Sequence, residues 1–330
     1  AIGAPYNDGT GSNAGHVRIY EYSGGDWSQL GSDIDGEASD DRSGYSVSLS
    51  SDGTRVAIGA YLNDGNGNNA GHVRIYEYSG GTWSQLGSDI DGEAADDLSG
   101  FSVSLSSDGT RVAIGALYND GTGSDAGHVR IYEYSGGTWS QLGSDIDGEA
   151  ASDQSGYSVS LSSDGTRVAI GARLNDGTGS NAGHVRIYEY SGGTWSQLGS
   201  DIDGEAASDQ SGFSVSLSGD GTRVAIGAPY NDGTGSNAGH VRIYEYSGGT
   251  WSQLSSDIVG EAANDNSGNS VSLSSDGTSV AIGAPYNDGN GNNAGRVRLY
   301  SIVYQAPAPA PYSGPLPTNY SDRTPSIGDE

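Results

Sequence analysis

Two short stretches carry the side chains best suited to chemistry. Asp64-Gly65-Asn66-Gly67-Asn68 and Asp89-Ile90-Asp91-Gly92-Glu93 place an oxygen ligand on every second residue. Carboxylate and amide oxygens at that spacing, in loops loosened by Gly, are the donors calcium takes. Similar residues return as Asp120, Asp145, Asp147 and Glu149, and again as Asp176, Asp201, Asp203 and Glu205. Neither stretch follows the EF-hand order, which needs a Gly at the sixth place and a distant Glu. The competing reading is a set of solvated turn residues bonded to their own backbone. Val259 stands where other copies have Asp, so one unit would hold a cation more weakly.

Other chemistry is sparse. His16, His72, His128, His184 and His240 share one position, yet the next copy has Arg296 there, a swap that an obligate metal ligand or general base would not tolerate. Ser, His and Asp recur without one unique constellation, and no nucleophile elbow, phosphate loop or His-Glu-x-x-His is present, so no enzyme is expected. Trp27, Trp83, Trp139, Trp195 and Trp251 fall once per unit just after a hairpin. They could stack on sugars, but packing at an outer strand is the better expectation, and Tyr20, Tyr22 and their counterparts read the same way.

These residues recur because the chain is an array. Ala-Ile-Gly-Ala begins at Ala1, Ala57, Ala113, Ala169, Ala225 and Ala281, a period of 56 residues without insertions. Such close copies point to recent duplication, so departures between them say more than agreements. With 56 Gly and two Phe in 330 residues, a thick core is excluded and many thin sheets are favoured. No apolar run is long enough to cross a bilayer. All fourteen basic residues are Arg, against 42 acidic ones, and the net charge of −28 repels nucleic acid and anionic membranes. The absence of Lys, Cys and Met suits an exposed extracellular life. The chain opens at Ala1 in mid-repeat, which reads as a processed or incomplete N-terminus.

Within each unit four segments alternate as strands do, in the second copy His72 to Tyr78, Thr82 to Leu86, Phe101 to Leu105 and Arg111 to Ala116. Ser79-Gly80-Gly81 and Ser107-Asp108-Gly109 supply tight hairpins. Tyr45, Val47 and Leu49 alternate with Ser46, Ser48 and Ser50, so a bulky face can pack on the small face of a neighbour. The expected fold is all-β: a β-propeller of four-stranded antiparallel blades, six of them visible and a seventh dependent on sequence upstream. An open solenoid of stacked hairpins is the competing architecture. In a meander both long loops share one rim, which should be strongly acidic.

The run Ser-Gly-Phe-Ser-Val-Ser-Leu, then Val-Ala-Ile-Gly-Ala-Pro, then Ala-Gly-His-Val-Arg-Ile-Tyr resembles the FG-GAP repeat of integrin-α-type propellers over residues 1 to 304. In that resemblance Phe101 opens the inner strand, and Gly-Ala-Pro is literal at Gly3, Gly227 and Gly283. It implies a calcium loop between the first two strands, shortened here to Ser-Asp-Gly-Thr. It also implies that the first blade lacks its inner strand and the last its outer one.

Residues 305 to 330 differ in kind. Pro307, Pro309 and Pro311 alternate with Ala, which favours an extended chain able to dock on a neighbour, and Asn319 heads an N-glycosylation sequon. The functional expectation is an extracellular or cell-surface structural or adhesive module, part of a fibre, coat or adhesion assembly. Its partners would be other protein subunits, through self-assembly or with surface glycoproteins. A carbohydrate-binding propeller with glycan ligands is the alternative.

Overall fold

The computed structural model describes residues 1–302, and among them every regular element is a strand. Asn319, Pro307, Pro309 and Pro311 lie outside the described residues. No described helix is long and apolar enough to cross a membrane.

The third blade in chain order shows how each one forms. Ser99–Leu105, Arg111–Ala116, His128–Ser135 and Thr138–Gln141 pair antiparallel in that order. Asp108 closes the first hairpin: its Oδ1 accepts from the Thr110 amide at 2.9 Å and from the Ser106 hydroxyl at 2.7 Å. Gly109, at φ 65°, supplies the left-handed residue that the turn demands. The carboxylate at the place of the implied calcium loop locks the turn. The strands match the expected segments to within two residues at each end. A fifth piece, Ile146–Asp147, lies inside a stretch read as loop and pairs with the start of the third strand. Two separate pieces therefore share the outer position of the sheet.

Six blades follow in chain order, over residues 2–35, 46–91, 99–147, 155–203, 214–259 and 270–301. Among the described residues the first has no inner strand and the last no outer one, as the resemblance implies. The blades turn about an axis. Ser51, Leu105, Ser163, Leu217 and Ser275, from five successive inner hairpins, line one opening of about 240 Å³. A linear stack could not bring residues four repeats apart to one opening. Backbone bonds continue the ring, Ser51 N–H to Ser107 O at 2.9 Å and Ser107 N–H to Ser163 O at 2.9 Å.

Blades adhere through one repeated junction. Ala113, Val129, Ile131 and Ile146 of the third blade meet Val159, Leu161, Val168 and Ile170 of the fourth. The alternation read from the inner strand holds: Ser46 donates to Gly100 O at 2.7 Å and Ser48 accepts from Leu105 N–H at 2.9 Å, across to the next blade. Val47 and Leu49 pack the other way, on the first blade. Gly115 must lack a side chain, because a methyl there would run into the Gly156 carbonyl. Each internal Trp reaches back one blade, Trp139 Nε1 donating to Leu86 O at 2.8 Å. The expectation of packing thus holds for Trp83, Trp139, Trp195 and Trp251, whereas Trp27 is 69% exposed.

One side chain in two settings should therefore differ in worth. Trp139→Ala should lower stability by about 2–3 kcal/mol, through lost packing and a lost hydrogen bond, while Trp27→Ala should stay within about 0.5 kcal/mol. Urea midpoints of the two variants would check this, and equal shifts would refute the junction model. The turn aspartates add a pH signature. Hydrogen bonds from Ser274 and Thr278 hold the Asp276 carboxyl down at about 2, below its ordinary 3.8. A carboxyl lowered on folding contributes stability that is present above the unfolded value and fades as pH drops toward the folded one. The advantage of wild type over Asp276→Ala should therefore be constant above about pH 5, shrink progressively below it and be mostly lost by about pH 2, read from melting temperatures across that window.

Candidate functional sites on the loop face

The two long loops of each repeat pack together on one rim. Asn66 Nδ2 donates to Gly92 O at 2.8 Å, and Gly71 bridges to Ser99. Two distinct groupings arise on this face, one at four of the blade junctions and one at the axis.

At the junctions, each His begins a third strand and meets two carboxylates. His128, 1% exposed, stands with Glu93 of the preceding blade and Asp145 of its own, with ligand atoms within 4.8 Å of one another. The same set recurs as Glu37, His72 and Asp89, as Glu149, His184 and Asp201, and as Glu205, His240 and Asp257. Burial pushes these imidazoles down from 6.5, and the Arg two residues on adds to it, bringing His184 to about 4. They are neutral at physiological pH, the form that ligates metals. Arg130 holds the other oxygen of Glu93 at 3.3 Å, and Gln141 donates to Asp145 Oδ1 at 2.6 Å.

The structure divides the alternate-oxygen residues. Asp89, Glu93, Asp145, Glu149, Asp201 and Glu205 are brought to the junction clusters. Asp64 and Asp176 accept their own loop amides, from Asn69 at 2.8 Å and Asn181 at 2.7 Å, and Asp120 likewise accepts from Asp125. Asn66 ties its loop to Gly92, and Asn68 leans on Asp96. Asp91, Asp147 and Asp203 offer main-chain oxygens to Arg130, Arg186 and Arg242. Sequence reasoning missed the histidines as partners of these acids, because it took the Arg296 swap as evidence against a ligand role.

The axial grouping was missed altogether. The position at the start of the inner strand reads Tyr45, Phe101, Tyr157, Phe213, Asn269, and the four aromatic rings form a row with centroids 4.9, 5.1 and 4.9 Å apart. Arg173 lies 4.2 Å over Tyr157 and donates to Gln154 at 3.1 Å and Gln210 at 3.0 Å. Arg42 donates to the Tyr61 hydroxyl at 2.8 Å and lies 4.9 Å over Tyr6. Arg42, Gln154 and Gln210 sit at φ 56°, 57° and 53°, a left-handed conformation held in non-Gly residues at some cost. The available signal was variation: these positions differ between copies that are otherwise nearly identical. Burial and the neighbouring tyrosines push the Tyr45 hydroxyl up to about 12.

No curated protein sequence matches the chain. Among solved structures, the periplasmic gluconolactonase PpgL of Pseudomonas aeruginosa is similar, with a TM-score of 0.54 at 15% identity, over 80% of this chain and 70% of that one. Hydrazine synthase of Kuenenia stuttgartiensis aligns with a TM-score of 0.48 at 13% identity, over 78% and 71%. At such identities the likeness to PpgL is one of fold alone. The FG-GAP repeat model matches residues 33–76, 146–188, 202–244 and 259–300, more than half of the sequence. With the strand order and the blade junctions agreeing, the chain belongs to the FG-GAP repeat family.

Proposed function

We propose that the protein is an extracellular structural or adhesive module that binds a further protein subunit, a second copy of itself included, through the axial patch of its loop face. The observation that carries this reading is the gathering of Tyr45, Phe101, Tyr157, Phe213, Arg42 and Arg173 at one place. Tyr and Arg are enriched where interfaces hold their binding energy. Here they are half-buried and stacked on one another, so little side-chain freedom remains to be lost on binding. Duplication explains sameness among the blades, whereas a common ligand contact gives the one divergent patch a reason to differ. A component of a surface fibre, coat or adhesion assembly needs such a contact and a rigid scaffold, and no reaction.

Two details support binding over catalysis or glycan capture. The raised Tyr45 hydroxyl is further from ionisation than a free tyrosine, the opposite of what a general base needs. The internal Trp side chains are engaged in blade packing, which leaves them poorly placed as sugar platforms.

Sedimentation velocity over a concentration series tests the proposal. The wild-type chain should show reversible association, and a Tyr157→Ser, Phe213→Ser variant should weaken it by roughly 30-fold or more, as loss of about 2 kcal/mol at a hot spot requires. Melting temperature should change little. A strictly monomeric wild type that binds on a glycan array would move the function to carbohydrate recognition.

A further inference from the structure

The junction clusters play no part in the axial patch, and their donor set is that of a metal site. We propose that the junctions built on His72, His128, His184 and His240 each bind one divalent transition ion of the zinc class. The ligands are the His Nδ1, a Glu Oε2 from the preceding blade and an Asp Oδ2 from the same blade.

The imidazole Nδ1 atoms face carboxylates without reaching them. The rings are 1–2% exposed. Nδ1 faces the carboxylates at 3.9 Å for His128 to Glu93, 3.8 Å for His184 to Glu149 and 3.8 Å for His240 to Asp257. That is too long for a hydrogen bond. Two ligands about 2.1 Å from one tetrahedral ion stand roughly 3.4 Å apart, so these pairs need to close by a few tenths of an ångström and the third ligand, within 4.8 Å, by up to about 1.4 Å.

The carboxylates are already oriented from outside the cluster. Arg130, Arg186 and Arg242 each hold Oε1 of the partner Glu, leaving Oε2 toward the imidazole. Gln141 and Gln253 hold Oδ1 of Asp145 and Asp257, which leaves Oδ2 free. Such outer partners fix ligand direction in metal sites. Two carboxylates against one guanidinium leave a net negative charge for the ion. The imidazole decides its class, because calcium prefers oxygen donors while zinc accepts nitrogen.

The incomplete junctions supply the strongest support. Where Arg296 replaces His, its Nη1 pairs with Glu261 Oε2, the very oxygen that faces Nδ1 elsewhere. In the first blade His16 gathers Asp33 and Asp35 with no Glu among them, and Arg18 pairs with Asp33 Oδ2 at 2.9 Å. Where the His is replaced, a guanidinium takes the Glu oxygen, so the position is one that calls for a cation. The Arg296 swap is thus a change of cation and not evidence against ligation.

Calorimetric titration of the chelator-treated full chain with zinc, and visible absorption with cobalt(II), test this. Uptake of about four ions per chain is expected, one for each cluster of His, Glu and Asp, with His128→Gln removing one. Asp145→Asn, isosteric at a half-buried position, should remove or weaken the same one. Zinc should raise the melting temperature, since an ion held only by the folded form shifts the unfolding equilibrium, and calcium at equal concentration should not. Uptake unaffected by both variants, no uptake, or an equal shift with calcium would overturn the proposal.

Discussion

Every sheet in this protein has a face that only the next copy can cover. A blade of four short strands with Val, Ile and Leu on one side cannot bury that side alone, and a neighbour rich in Ser, Gly and Ala can approach closely enough to do it. The junction between the third and fourth blades shows the terms. Eight buried aliphatic residues meet, Gly115 leaves room for the Gly156 carbonyl, and an indole N–H satisfies a loop carbonyl. Stability is therefore a sum of similar junctions, and the pieces that make them tolerate little change.

The same junction makes the chemistry. A Glu from one blade reaches a His from the next only because the two sheets are pressed together, and that packing also dries the imidazole and keeps it neutral. One geometric relation between neighbours yields the core, the oriented carboxylates and the nitrogen donor. Bound ions would join adjacent blades at the rim, where the apolar contact ends.

The axis follows a different rule. Side chains there see several blades at once, so the copies are not equivalent and mutations accumulate separately. Arg173 touches Tyr157, Gln154 and Gln210, and the last lies in the following repeat unit. Repetition builds the scaffold, and divergence within it concentrates at the one place where all copies converge.

The period, the strands Arg111–Ala116 and His128–Ser135 and the Asp-Gly hairpins were legible in the sequence, since each rests on alternation or turn chemistry within a few residues. The shared rim for the long loops was legible too, from meander topology alone. The short strand Ile146–Asp147 was not, because two residues carry no periodicity and pair only where the third strand offers an open edge. Nor was the partner of each histidine: Glu93 reads as a turn acid beside Asp91, and only the packing of one blade on the next turns it toward His128. The axial patch was hidden for a similar reason, since the rings from Tyr45 to Phe213 stand one repeat apart in the chain and join in one row only through curvature about the axis. Hydrophobic alternation and turn chemistry act between near neighbours in the chain, while a site is made by residues that distance along the chain separates and packing brings together.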